Sequence, residues 1–230
     1  MGTWQTASVV ALWDETPRAR TLRLALSRPE PHVAGQHYVV RLTAPDGYTA
    51  QRSYSVASAP DESGTVDLTV ERLEGGEVSG YLHDVVAVGD ELEVRGPIGG
   101  WFAWSGDTSA LLVGGGSGVV PLMSMLRLAR RTGRSDLVRL VVSVRSADDL
   151  YYADELPGPE VTVVYSRRTP PNAVRPAARL ALADLSPLVV PDVTAYVCGS
   201  ARFADAASRL VVDAGVPVAA VRVERFGPTG

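Results

Sequence analysis

The chain has 230 residues, 46% apolar and 21% charged, an ordinary globular balance that argues against intrinsic disorder. Its net charge of −4, with every one of the 22 basic residues an Arg, gives no general electrostatic reason to bind nucleic acid. The single cysteine, Cys198, excludes a disulfide framework, a cysteine-rich zinc site and a four-thiolate iron–sulfur cluster within the chain.

Taken in chain order, the first half reads as short alternating or β-branched runs, which predict strands at 5–12, 21–26, 37–42, 54–58, 65–72 and 91–95. Turn residues separate them: Pro29-Glu30-Pro31, Pro45-Asp46-Gly47, Asp61-Glu62-Ser63-Gly64 and Val88-Gly89-Asp90. This punctuation predicts an antiparallel β-barrel or sandwich, interrupted by a short helix at 78–85 with Ser79 as its cap. The loop around 99–107 marks a boundary, giving domains 1–104 and 105–230.

The second half alternates. A buried strand at 110–113 leads into a helix at 120–131, whose Leu122, Met125, Leu126 and Ala129 recur at helical spacing. Strands follow at 137–144, 161–166, 194–198 and 221–224, with helices expected at 147–155 and 201–214. Such alternation predicts an α/β domain with a parallel, Rossmann-like sheet. Residues 108–126 carry no charge and are long enough to span a membrane. A run of glycines and then Pro121 would break a spanning helix there, so the stretch reads as strand, turn and helix. The N-terminus shows no basic start followed by an apolar run, and a cytoplasmic protein is expected.

Four segments carry chemistry. Arg52-Ser53-Tyr54-Ser55 places an Arg and an aromatic on one side of a strand and two hydroxyls on the other. Gly75-Gly76-Glu77-Val78-Ser79 opens the short helix, where backbone amides and a hydroxyl suit a phosphate. Gly114-Gly115-Gly116-Ser117-Gly118-Val119-Val120-Pro121 joins a strand to a helix, the place where an α/β sheet binds a dinucleotide pyrophosphate. It is neither G-x-G-x-x-G nor a P-loop, since Pro121 stands last and no Gly-Lys follows. Tyr196-Val197-Cys198-Gly199-Ser200 ends a later strand, and Glu224 and Phe226 lie just beyond the last one. His32, His37 and His83 are too scattered for a metal site and read as structural or solvated.

In this order the segments resemble the ferredoxin–NADP reductase-like flavoproteins over nearly the whole chain. Arg52–Ser55 is similar to that family's R-x-Y-S flavin motif, and Gly76–Ser79 to its G-x-x-S pyrophosphate motif. Gly116–Pro121 is similar to its G-x-G-x-x-P nucleotide motif, and Cys198-Gly199 to its C-G pair; Ser200 stands where Pro is common in the reductase components. The resemblance implies an FAD-dependent NAD(P)H oxidoreductase that moves hydride from NADPH or NADH to flavin N5. A ferredoxin, flavodoxin or oxygenase component would take the electrons.

It further implies that Arg52 binds the FAD pyrophosphate, Tyr54 packs on the flavin and Ser55 hydrogen-bonds near N5, with Ser53 between them. The amides of Glu77 and Val78, with Gly76 and Ser79, would hold the same pyrophosphate. Gly116, Ser117, Gly118 and Pro121 would take the nicotinamide dinucleotide, and Cys198 and Gly199 would line its nicotinamide end. Ser166 and Arg167, joined by Arg145 and Arg179, resemble a 2′-phosphate site and favour NADPH. Phe226 would gate the flavin face, and Glu224 would order the nicotinamide or relay a proton. Arg18, Arg20 and Arg23 offer positive charge to an acidic partner protein. Two other readings stand beside this one: a reductase of small acceptors such as free flavin or a ferric chelate, and a non-catalytic nucleotide-sensing or scaffold module.

Overall fold

The computed structural model describes residues 3–171, 173 and 175–227. The first half folds into strands β1 (Trp4–Thr16), β2 (Ala19–Leu26), β3 (His37–Thr43), β4 (Thr49–Ser55) and β5 (Thr65–Glu71), helix α1 (Glu77–Asp84), and strand β6 (Glu91–Ile98). They form an antiparallel sheet in the order β4-β3-β6-β1-β2-β5. An antiparallel bridge between Val56 and Leu68, with Ala57 N–H donating to the Asp67 carbonyl at 2.8 Å, joins the two edges and closes the barrel. Alternation sends Leu22 and Leu24 of β2, Tyr38 and Val40 of β3, and Val66, Leu68 and Val70 of β5 inward. Val78 and Leu82, one helical turn apart on α1, cap the same core. Each buried side chain of this size contributes about 1.5–3 kcal/mol through loss of apolar surface to water.

Strand β4 starts earlier than its apolar pattern predicts, at Thr49 rather than Tyr54. Its register is set by the turn before it, where Gly47 has φ +87°, Ala44 N–H donates to the Tyr48 carbonyl and Asp46 accepts from the Tyr48 amide. The exposed Thr49, Gln51, Arg52 and Ser53 of this strand hide it from any reading based on hydrophobic alternation. Helix α1 likewise begins at Glu77, with Gly76 rather than Ser79 as its N-cap.

The second half contains β7 (Ala110–Gly115), α2 (Val119–Arg131), β8 (Val138–Val144), β9 (Val161–Tyr165), α3 (Leu182–Leu185), β10 (Thr194–Ser200), α4 (Ala201–Asp213) and β11 (Val221–Phe226). All five strands are parallel, in the order β11-β10-β7-β8-β9. One face, with Leu112, Leu140, Val142 and Tyr196, packs on α2; the other, with Leu111, Val113, Val141 and Val197, packs on α3 and α4. Among the described residues no helix is long and apolar enough to cross a membrane.

The helix expected at 147–155 is a single 3-10 turn, Ala147–Asp149. Leu150 turns extended, and Tyr152 adopts φ +57°, so the helix cannot continue. Tyr151 and Tyr152 are instead buried, which outweighs the helical propensity of the segment. The last strand runs to Phe226, which pairs in register with Ser200 rather than following the sheet as a tail.

Helix α2 is the seam between the halves. Its apolar residues share one cluster with Ala19, Ala34 and Ala57 of the barrel. Ser124 Oγ donates to the Ser58 carbonyl at 2.7 Å and Arg127 to the Ala57 carbonyl at 2.9 Å, while Arg131 reaches the Pro60 carbonyl. Trp104 N–H donates to the Ala34 carbonyl at 2.9 Å, tying the linker down. The chain leaving Ser55 is thereby fixed beside the helix that follows the glycine turn.

Candidate active site

Arg52 and Tyr54 lie opposite Val40 and Tyr38 and so share a face of β4, while Ser53 and Ser55 share the other, as alternation requires. Arg52 is exposed; its guanidinium donates to the Gln51 carbonyl at 2.7 Å and, among the described residues, pairs with no carboxylate. Tyr54 is half-buried against the barrel core, and that burial pushes its phenol well above the usual range, so it stays neutral. Ser55 is buried.

Helix α1 packs against β4 and β5, with Tyr48 Oη donating to Glu77 Oε2 at 3.1 Å. Its first turn has no side-chain cap, so the amides of Glu77, Val78 and Ser79 lack intrahelical acceptors. Ser79 is buried in that turn, where its hydroxyl accepts from Leu73 N–H and donates to the Gly76 carbonyl. The hydroxyl therefore braces the turn, and the backbone amides are the open donors.

The glycine turn after β7 is built for close approach. A Cβ on Gly118 would stand 2.1 Å from the Cys198 carbonyl oxygen, and one on Gly115 would meet the Phe203 ring at 2.5 Å. Gly116 has φ +56°, and a Cβ there would meet nothing within 4 Å. This left-handed residue thus fronts open space. Ser117 is half-buried, Gly118 caps α2 and Pro121 sits in the first turn of that helix, so no acidic residue opposes an anion there.

Gly114 pairs with Cys198, and Cys198 pairs with Glu224. Cys198 is fully buried, and burial together with the neighbouring Glu224 raises its thiol well above the ordinary value. Such a thiol is no nucleophile. Burial pushes Glu224 up to about 7, and its Oε2 is buried without a hydrogen-bond partner. Gly199 is buried against the Phe203 ring, and Phe226 packs on the cluster that contains Cys198.

At the far strand ends, Arg167 N–H donates to the Arg145 carbonyl at 2.9 Å and Ser166 N–H to the Val144 carbonyl at 2.8 Å, which brings Arg145 and Arg167 together. Both side chains are exposed, as is Arg179, whose carbonyl is held by Arg175. The nearby acids are engaged: Asp149 accepts from Ser146, and Asp148 pairs with Arg168.

Two features escape a reading of the sequence. His37 stands directly opposite Ser55, and burial lowers its pKa, so the ring is neutral. Its place beside the flavin motif follows from register alone. Two of the basic trio near the start are also not free: Arg20 pairs with Asp14 and Arg23 with Asp67, while the Arg18 guanidinium donates to the Arg72 carbonyl. Among the described residues no group of three or more His, Cys, Asp or Glu is placed to hold a metal ion.

The donor set fits a flavin dinucleotide. An Arg without a carboxylate partner among the described residues, three open amides and a neutral half-buried Tyr suit a pyrophosphate and a flat ring. The orphaned Glu224 oxygen beside Cys198 awaits a hydrogen-bond donor.

Known proteins agree. Residues 8–102 match the family model for an oxidoreductase FAD-binding domain, and residues 112–209 match that for an oxidoreductase NAD-binding domain. The chain is 30% identical to the ferredoxin–NAD(P)(+) reductase component of the naphthalene 1,2-dioxygenase/salicylate 5-hydroxylase systems of a Ralstonia species, over 97% of this chain and 69% of that protein. It is 34% identical to the phenol hydroxylase P5 protein of Acinetobacter pittii, over 63% of this chain, and spans only 40% of that relative. The flavohem-like FAD/NAD-binding domain of nitric oxide dioxygenase from Vibrio cholerae shares the fold, with a TM-score of 0.85 at 23% identity over 97% of this chain and 99% of that one.

Proposed function

Because the chain belongs to the ferredoxin reductase-like FAD/NAD-binding oxidoreductases, we propose that it draws electrons from NADPH through FAD and hands them to a separate redox protein such as a ferredoxin, flavodoxin or oxygenase component. One observation carries this reading. The segment leaving the flavin motif is fastened to α2, the helix that follows the Gly116–Gly118 turn, and Gly118 in turn packs on the carbonyl of Cys198, the strand neighbour of Glu224. The chemistry supplied by bound FAD is acceptance of a hydride from the nicotinamide at N5 and onward release of the electrons.

The chain's own work is positioning. Arg52 and the α1 amides hold the pyrophosphate by charge-assisted bonds, while Tyr54 and Ser55 fix the ring. The α2 N-terminus and its glycines admit the second pyrophosphate. Cys198, small and unreactive, lets the nicotinamide approach closely, and the half-buried Glu224 orients its carboxamide or holds a proton. The barrel–α2 seam excludes water from the meeting point. Arg145 and Arg167, joined through their backbones and with both nearby acids engaged elsewhere, favour the 2′-phosphate of NADPH over the free ribose of NADH. We set the reaction in the cytoplasm, where an unpaired thiol such as Cys198 persists.

The purified protein should be yellow, and NADPH should bleach it without oxygen. A colourless protein, or a flavin that NADPH leaves oxidised, overturns the reading. Faster turnover with a ferredoxin or flavodoxin than with free flavin or a ferric chelate identifies the acceptor as a protein.

A further inference from the structure

A hydrogen-bonded ring crosses the domain boundary and belongs to none of the motifs. Tyr152 Oη donates to Thr69 Oγ1 at 2.6 Å, and the Thr69 and Thr21 hydroxyls are 2.7 Å apart. Thr21 Oγ1 donates to Glu15 Oε1 at 2.7 Å, and Glu15 Oε2 accepts the backbone N–H of Tyr152 at 3.2 Å. The direction is forced. An ionised carboxylate only accepts, so the Thr21 proton goes to Glu15, Thr69 must donate to Thr21, and Tyr152 must donate to Thr69. Every hydroxyl proton is used once, and the ring begins and ends on Tyr152. Thr21, Thr69 and Tyr152 are buried, which makes each missing member costly.

Tyr152 belongs to the nucleotide-binding half, and its three partners belong to β1, β2 and β5 of the barrel. Its backbone is held at φ +57° while its carbonyl accepts from both Glu155 and Leu156. The Arg127 guanidinium lies 5.0 Å from the ring centre and pairs with Glu155, so α2 clasps the same segment from the other side. That segment leaves β8 at Arg145, whose carbonyl receives Arg167 and Arg168.

We propose that Tyr152, Thr69, Thr21 and Glu15 act as a positioning lock that fixes the nucleotide-binding half against the barrel, so that a nucleotide seated near Arg145 and Arg167 presents its nicotinamide to the flavin in register. None of the four touches the reacting atoms. The inference rests on the proposed transfer from NADPH to FAD. A loosened lock leaves both binding sites whole but misaligns them, and a misplacement of about 1 Å costs on the order of 100-fold in rate.

Tyr152→Phe and Thr69→Val, tested as the FAD-loaded full chain, should slow flavin reduction at saturating NADPH by roughly 10-fold or more, with FAD content and the NADP+ dissociation constant unchanged. Thr69→Ser, which keeps the hydroxyl, should restore the native rate. Thermal unfolding of the FAD-loaded protein without nucleotide gives a second reading. Tyr152→Phe combined with Thr69→Val should lower Tm no further than the worse single variant, because both break one ring. Native limiting rates in both single variants, a raised KM in place of a lowered limiting rate, or additive losses of Tm would overturn the lock. A wild-type flavin that NADPH does not bleach would overturn the proposed function instead, and the unfolding cycle would still decide whether the ring couples the halves.

Discussion

Cys198 and Glu224 stand side by side on the parallel strands β10 and β11, the thiol fully buried and the carboxylate half-buried with one oxygen lacking a partner among the described residues. Neither helps the other to ionise: burial and the Glu224 charge raise the thiol, and burial alone lifts Glu224 to about 7. This small, buried corner at the end of the sheet sits where α2 begins, since Gly118 packs on the Cys198 carbonyl.

The first prediction concerns pH. A carboxyl whose folded pKa lies above its unfolded value binds more protons folded than unfolded, so stability falls as pH rises from about 4.5 to about 7. Glu224→Gln should flatten that slope and make the nucleotide-free protein more stable at pH 8, by about 1–2 kcal/mol after allowance for partial solvent access. Denaturant unfolding across this window checks it; parallel wild-type and variant curves would refute a protonated Glu224.

The second concerns the flavin. Arg52→Ala removes the one cation of the β4 motif and should weaken FAD binding by about 2 kcal/mol, roughly 30-fold. Ser55→Ala should keep FAD and slow its reduction by NADPH. Equilibrium titration of the apoprotein with FAD and anaerobic stopped-flow absorbance separate the two effects. Unchanged affinity in the first variant, or a native reduction rate in the second, removes that residue's assigned role.

How much of this was legible beforehand depended on which force set each element. The barrel strands β2, β3 and β5 and the sheet strands β7, β8 and β10 bury strong apolar patterns, and the patterns located them. Strand β4 was placed too late, because ladder bonds and the Asp46-Gly47 turn hold it while its side chains face water. The helix expected at 147–155 failed for the opposite reason: Tyr151 and Tyr152 read as helix-compatible aromatics, yet their burial sites lie across a domain boundary that no local pattern reports. The glycine motifs were visible, since their residues stand in the sequence whatever the packing. The turning of Ser79 away from the open amides, and the place of His37 opposite Ser55, required the register itself.

The third prediction tests nucleotide choice. Arg145 and Arg167 are joined backbone to backbone and both are exposed at the strand ends. Arg167→Ala should raise KM for NADPH about 10-fold, the loss of one charge-assisted contact to phosphate, and leave KM for NADH within about twofold. Arg145→Ala should act in the same direction. Steady-state kinetics with both nucleotides decide the matter, and a wild-type preference for NADH would overturn it.

The last prediction concerns Phe226. The expectation of a residue beyond the final strand is corrected by its register: Phe226 is the last paired position of β11, opposite Ser200 and two residues beyond Glu224 on the same side of the strand. It is half-buried against the cluster that includes Cys198, the residue proposed to line the nicotinamide end of the site. Residues 228–230 lie outside the described part of the chain. An aromatic ring held there has the flavin as its natural flat partner, and such stacking is worth about 1 kcal/mol beyond burial. In the proposed reaction the nicotinamide would need the same face to reach N5, so the two would compete and the ring would move aside during turnover. Phe226→Ala should then retain FAD, shift the flavin absorbance bands and tighten NADP+ binding by roughly 5-fold, the competition energy released. Phe226→Tyr, which keeps an aromatic face, should restore the native spectrum. A Phe226→Ala protein with native spectrum and native NADP+ affinity would mean that the ring only completes the edge of the sheet.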